Sequence, residues 1–149
     1  MPIKRHEALQ PLSRDHHHGL ILAQQLKKRA PQYKGMPATI EEKKNYTVSF
    51  YNSDLKEHFW KEEEILFPMV KNRDTAVDAL INEILEEHRK IEKIILKFKA
   101  VNDFENKLDE LGWLLEKHIR KEERSLFGEI ENLLTNDELE ELKIKLIEQ

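Results

Sequence analysis

The stretch His58-Phe-Trp-Lys-Glu-Glu-Glu-Ile-Leu-Phe returns sixty residues later as His118-Ile-Arg-Lys-Glu-Glu-Arg-Ser-Leu-Phe. His, Lys, Glu, Glu, Leu and Phe recur in register. Each copy sets a His and a Glu four residues apart, at 58/62 and 118/122. On a helix that spacing stacks both side chains on one face, where an imidazole and a carboxylate can share a metal ion. The bare pair is weak, because about one is expected by accident in a chain this rich in His and Glu. His88 and Glu92 make a third. The force comes from the longer repeat and from the placing of four histidines. His16, His58, His88 and His118 each fall on the apolar stripe of a different predicted helix. One such His is ordinary core packing, bonded to a neighbour. Four of them, one per helix, are hard to reconcile with packing alone. Glu62 and Glu122 on the same faces would be costly to bury without a cation or a proton. A pair of divalent ions meets both difficulties. With no Cys in the chain, the ligands must be imidazole and carboxylate, a donor set that suits iron, manganese or zinc.

The elements that must position these residues are helices. The chain has 4 Gly and 5 Pro, little turn chemistry for its length, and no stretch of sustained apolar/polar alternation. A first helix is expected to about Ala30, capped by Ser13 or Asp15, with Leu12, His16, Leu20, Ala23 and Leu26 in phase. Pro31 to Pro37 reads as a connector. A second helix is expected from Ile40 to Phe67, with Tyr51, Leu55, His58, Glu62 and Ile65 on one face and Pro68 ending or kinking it. Asp74 or Thr75 opens a third helix to about Ala100, whose inner face reads Val77, Leu80/Ile81, Ile84, His88, Ile91 and Ile95. A fourth follows Val101-Asn102-Asp103 and runs to about Leu134, aligning Leu108, Leu111, Leu115, His118, Glu122 and Ser125. Thr135-Asn-Asp-Glu138 is a capping box for a short fifth helix ending near Ile147. Short connections favour antiparallel neighbours. The expected fold is all-α: an up-down-up-down antiparallel four-helix bundle, with the short C-terminal fifth helix packed outside it, in one domain over 1–149.

Composition narrows the function. The chain has 149 residues, 39% hydrophobic and 36% charged, with 25 basic and 29 acidic residues and net charge -4. No basic stripe dominates, so nucleic acid is not the expected partner. No apolar run approaches the ~20 residues of a membrane span, and the N-terminus lacks a signal-peptide core, so a cytoplasmic location is expected. There is no Gly-rich phosphate loop and no recognisable Ser-nucleophile motif for hydrolase or nucleotide chemistry. Tyr51, Trp60 and Trp113 read first as packing residues. Tyr51 has a sharper reading as a phenol bonded to a ligand or active beside oxidised iron. Lys27-Lys28-Arg29, Lys43, Lys44, Arg89, Lys90 and Lys93 read as solvated.

Over roughly residues 9–134 the chain resembles the hemerythrin-like, or HHE cation-binding, family. Leu12-Ser-Arg-Asp-His16 looks like its first-helix motif, and His58-Phe-Trp-Lys-Glu62 like its second. Glu87-His88 with Ile91 looks like the third, and His118-Ile-Arg-Lys-Glu122 like the fourth. The resemblance implies that Glu62 and Glu122 bridge two irons, with zinc or manganese as alternatives. His16, His58, His88 and His118 would supply terminal nitrogens, and an open position would take dioxygen, peroxide or nitric oxide. The oxygen-carrying members have a second His four residues before the third-helix one, where this chain has Ile84. Another group would have to substitute, with His17, His18, Glu63, Glu92 and Glu123 as candidates, or one iron is left more open. Those carriers also use an i+5 carboxylate on the fourth helix, here Glu123. The i+4 residue Glu122 matches the wider family and the internal repeat. Simple oxygen transport is therefore less expected than ligand binding or reduction. The rival readings are an iron, oxygen or redox sensor acting through a partner protein, and a single zinc that staples the helices.

Overall fold

The computed structural model describes residues 4–28, 30, 37, 39–98 and 104–148. These are helical, without a strand among them, and form five helices. A 3-10 turn at Glu7–Leu9 leads into α1, Gln10–Leu26. Then come α2 (residues 40–70), α3 (Thr75–Leu96), α4 (residues 104–133) and α5 (Asn136–Ile147). The expected connector at Pro31–Pro37 lies almost wholly outside the described residues, as does Val101–Asp103.

The starts of α2, α3 and α5 are set by side-chain capping. Thr39 accepts from Glu42 N, Asp74 accepts from Val77 N at 3.0 Å, and the Thr135–Glu138 capping box is complete. The start of α1 corrects the sequence expectation. Neither Ser13 nor Asp15 caps it; both lie inside the helix, which begins with Pro11 in its first turn. Proline's fixed φ suits that position, where its missing N–H costs nothing. Asp15 is thereby free to bond elsewhere.

Helices α2 and α4 are continuous but not uniform. In α2 the Phe67 N–H bonds the Glu62 carbonyl, and in α4 the Phe127 N–H bonds the Glu122 carbonyl. These i→i+5 bonds make π turns over Glu62–Leu66 and Glu122–Leu126, and α2 has another at Tyr51–Leu55. Each adds a residue to its turn and rotates the rest of the helix about the axis. Pro68 does not stop α2, which continues to Val70. The widened turn before it relieves the clash between a helical proline and the preceding turn. Proline is not the cause, because α4 makes the same π turn with Gly128 at the corresponding place. The extra residue also explains why Ser125, expected in line with Glu122, is exposed while Leu126 is fully buried.

The apolar core falls into two clusters. One gathers Leu9, Leu12, Leu66, Ile84, Leu126 and Phe127 with Leu139, Leu142 and Leu146 of α5. The other gathers Leu22, Leu55, Phe59, Ile91, Leu111 and Leu115. Between them, along each of α1 to α4, sits a buried polar step. The chain passes from the first cluster to the second along α1, back along α2, out along α3 and back along α4. Trp60 and Trp113, expected to pack, are instead 45% and 56% exposed. Trp113 lies under Lys27, whose Nζ is 3.8 Å from the ring centroid. Lys27 also pairs with Glu116, so this part of the supposed solvated run is tied down.

Candidate metal centre

The buried polar step on α1 is His16, on α2 His58 and Glu62, on α3 His88, and on α4 His118 and Glu122. All six side chains converge. His16 Nε2 lies 2.8 Å from Glu122 Oε2 and 3.9 Å from Glu62 Oε2. His58 Nε2 is 3.4 Å from Glu62 Oε1 and 3.1 Å from His16 Nε2. His88 Nε2 is 3.2 Å from Glu62 Oε1, and His118 Nε2 is 3.2 Å from Glu122 Oε1. Both carboxylates are 0% exposed. All four of their oxygens, with His88 Nε2 and His118 Nε2, lack a partner in hydrogen-bond geometry. Buried polar atoms are normally satisfied, so converging orphaned donor atoms fit a cation among them. The donor atoms form two groups, His16–His58–Glu62–Glu122 and Glu62–His88–His118–Glu122, each within 4.8 Å of one another.

A second layer fixes the imidazoles. Each Nδ1 meets a carboxylate from a different helix: His58 with Asp15 at 3.0 Å, His88 with Glu63 at 2.8 Å, His118 with Glu87 at 2.8 Å and His16 with Glu123 at 2.7 Å. An acceptor there holds a proton on Nδ1 and turns Nε2 inward. The bonds form a closed ring. Helix α1 holds the imidazole of α2, α2 that of α3, α3 that of α4, and α4 that of α1. The geometry is a consequence of helical spacing. Each outer carboxylate is the sequence neighbour of an inner residue, about 100° away around its own helix, and so faces the adjoining helix. Aromatic plates complete the layer. Phe59 stacks on His88 with centroids 3.8 Å apart, and Phe127 stacks on His16 at 5.2 Å.

The family model for the hemerythrin HHE cation-binding domain matches residues 8–130. The chain belongs to that family. A DNA nickase of Nostoc sp. (strain PCC 7120) is 28% identical over 92 residues, which cover 59% of this chain and 26% of the nickase. The chain thus spans about a quarter of the length of that curated relative. No solved structure matches it.

Within this hemerythrin-type centre, none of the five candidates for a further inner ligand points inward. Glu63 and Glu123 serve the outer ring. Glu92 accepts from Tyr51 Oη at 2.7 Å and pairs with Arg89. His17 and His18 are exposed and lie edge to face with each other. Glu122, not Glu123, is the α4 carboxylate among the Nε2 atoms. Tyr51 is buried and bonds Glu92 rather than a histidine, so its hydroxyl reaches His88 only through Glu92, Arg89 and Glu63. Burial and the Glu92 carboxylate together raise its pKa to about 12.

The electrostatics match the geometry. Burial works against the imidazolium form, but the carboxylates outweigh it. Glu122 and Glu123 raise His16 to about 9, and Glu62 and Asp15 raise His58 to about 10. The Glu122, Glu62 and Glu63 carboxylates beside its ring raise His88 to about 11. Against its burial, Glu122 is held well below the usual carboxylate range by Glu62 and by the imidazoles of His118 and His16. A metal entering this hemerythrin-family cluster must displace any proton carried on an Nε2 it binds. A small cavity of about 10 Å³ touches His16, His58 and His118 and is walled by Leu55, Phe59, Leu115 and Ile119, with the exposed Asp15 and Asp54 also lining it. It has room for about one water-sized molecule.

The outer role of Asp15, Glu63, Glu87 and Glu123 was missed from sequence, where Glu63 and Glu123 read only as candidate inner ligands, although its signal is present. Asp15-His16, Glu62-Glu63, Glu87-His88 and Glu122-Glu123 each pair an inner residue with an acidic neighbour.

Proposed function

We propose that this chain is a di-iron carboxylate protein that binds or reduces a small ligand (dioxygen, peroxide or nitric oxide). The site sits on an up-down-up-down antiparallel four-helix bundle that forms one domain over 1–149. The carrying observation is that two donor groups share both Glu62 and Glu122. His16 and His58 would serve one ion, His88 and His118 the other, and the carboxylates would bridge. Two histidines and two shared carboxylates per ion, without thiolate, suit iron more readily than a lone structural zinc. When bound, the ions supply redox and Lewis-acid chemistry.

The chain's own residues do the remainder. The ring of Asp15, Glu63, Glu87 and Glu123 holds each Nε2 inward. The small volume of the cavity would limit what approaches His16, His58 and His118 to molecules of a few atoms. The described helices include none long and apolar enough to cross a membrane, and the proposed location is the cytoplasm. Iron-loaded protein should carry two ions per chain and show ligand-to-iron charge-transfer absorption. Glu62→Ala and His118→Ala should each lose that absorption and iron. Full iron content in both variants sinks the assignment.

A second reading, a metal-dependent sensor module, is favoured by one observation. In the Nostoc protein the matching stretch is about a quarter of a longer chain, so the unit there accompanies other sequence. Turnover of peroxide or nitric oxide supports the first reading. Metal-dependent binding to a partner without turnover supports the second.

A further inference from the structure

The carboxylate ring is backed by cations, and one link differs from the rest. Glu63 holds His88 and pairs with Arg89, the next residue on α3. Glu87 holds His118 and pairs with Lys121 Nζ at 2.5 Å, three residues further along α4. Asp15 holds His58 and feels the charge of Lys61, again three residues on. In each case the cation comes from the helix whose imidazole is held. On that pattern, Glu123, which holds His16, should meet a cation at position 17 or 19 of α1. Those positions are His17, which is exposed, and Gly19, where even a Cβ would come within 2.7 Å of Ile119 Cδ1.

Arg5 occupies the missing place from outside the helix. Its side chain is 6% exposed. Nη2 donates to the Glu123 carbonyl at 2.6 Å and to Glu123 Oε2 at 3.1 Å, and Nη1 reaches Glu131 Oε1 at 3.4 Å. The guanidinium lies 5.4 Å from the Phe127 centroid, and Phe127 stacks on His16. The segment carrying Arg5 is anchored. The His6 N–H donates to Glu131 Oε1 at 2.7 Å, the His6 ring caps Ala8 N, and Ala8 and Leu9 are fully buried. A buried guanidinium is costly unless its partners are fixed, and here they lead to His16 by two routes.

We infer that Arg5 is a positioning residue for the His16 half of the centre. Through Glu123 and Phe127 it holds the His16 imidazole with Nδ1 outward and Nε2 toward Glu62 and Glu122. The inference rests on the di-metal reading only for what Nε2 would bind; the His16–Glu123 bond can be followed with no metal present.

The test is nuclear magnetic resonance of the ring Nδ1–H protons in metal-free protein, with Arg5→Gln and Arg5→Lys. Arg5→Gln should speed exchange at His16 by about 10-fold or more and leave His88 and His118 unchanged. Arg5→Lys, which keeps the charge but cannot span both Glu123 and Glu131, should lie between. Wild-type exchange at His16 in Arg5→Gln, or equal loss at all these histidines, overturns the inference. If Arg5→Gln does not fold, Arg5→Lys decides: faster exchange confined to His16 supports the inference, and wild-type exchange overturns it. In iron titrations, Arg5→Gln should weaken one ion about 10- to 100-fold and spare the other, the usual cost of losing an outer-shell partner. A wild-type chain that takes up no metal pair would defeat the functional reading, while the exchange data still decide the role of Arg5.

Discussion

Position 84 lies one turn before His88 on α3, where oxygen-carrying relatives are expected to place a further nitrogen. In this chain Ile84 is fully buried in the apolar cluster that also holds Leu12 and Leu126. No neighbour compensates: Glu63, Glu92 and Glu123 all bond outside the cluster of Nε2 atoms. The inner donor set is therefore six side chains, and each ion would have two histidines. Ile84→His should destabilise metal-free protein by about 1–3 kcal/mol, because an imidazole without a partner is buried among aliphatic groups. Loading with iron should recover most of that loss and shift the charge-transfer bands. Denaturant unfolding with and without iron checks this, and an equal deficit in both states would show that position 84 does not face the ions.

At the scale of the element, two glycines have opposite surroundings. A Cβ at Gly112 would sit 2.7 Å from the Ala23 carbonyl oxygen, a backbone atom that cannot swing aside, so α1 and α4 would have to part. A Cβ at Gly128 would meet nothing within 4 Å. Gly112→Ala should therefore cost about 1–3 kcal/mol, the usual penalty of overpacking. Gly128→Ala should gain about 0.5–1 kcal/mol from helix propensity. Thermal unfolding of the two variants should move in opposite directions.

The helices themselves were legible in the sequence because apolar residues keep one helical phase with His16 from Leu12 to Leu26 and with His88 from Val77 to Ile95. The convergence of four inner residues was legible because two helices repeat the same His–Glu spacing, and that of His16 and His88 because each falls on the apolar stripe of another helix. The π turns were not, since an ideal period puts Ser125 in line where the structure buries Leu126. The start of α1 was misplaced because Ser13 and Asp15 resemble caps, while Pro11 carried the better signal. The outer carboxylates were hidden because each serves a helix other than its own, which a single helical projection does not reveal.

For the whole molecule, the buried charges tie stability to pH. The metal-free His16, His58 and His88 have folded pKa values of about 9, 10 and 11, all above the ordinary 6.5. Their contribution is complete below 6.5 and is lost as pH rises through the folded values. Asp15, Glu63, Glu87, Glu122 and Glu123 are shifted the other way, so their contribution is present above the ordinary carboxylate range and lost in acid. The metal-free chain should be most stable in mildly acidic solution, and its melting temperature should fall steadily from pH 7 to pH 10. Iron-loaded protein should show a flatter alkaline limb, because metal already stands where the imidazolium protons were. A melting temperature that climbs between pH 7 and pH 10 without metal would contradict the charge pairing.

The closed order of the carboxylate ring has a mechanical meaning as well. Each of α1 to α4 both gives an acceptor to one neighbour and receives one from the other. Turning any helix about its long axis strains two links at once, and the fourth link returns the strain to the first. The four rods are geared together, so the aim of every imidazole is a property of the set.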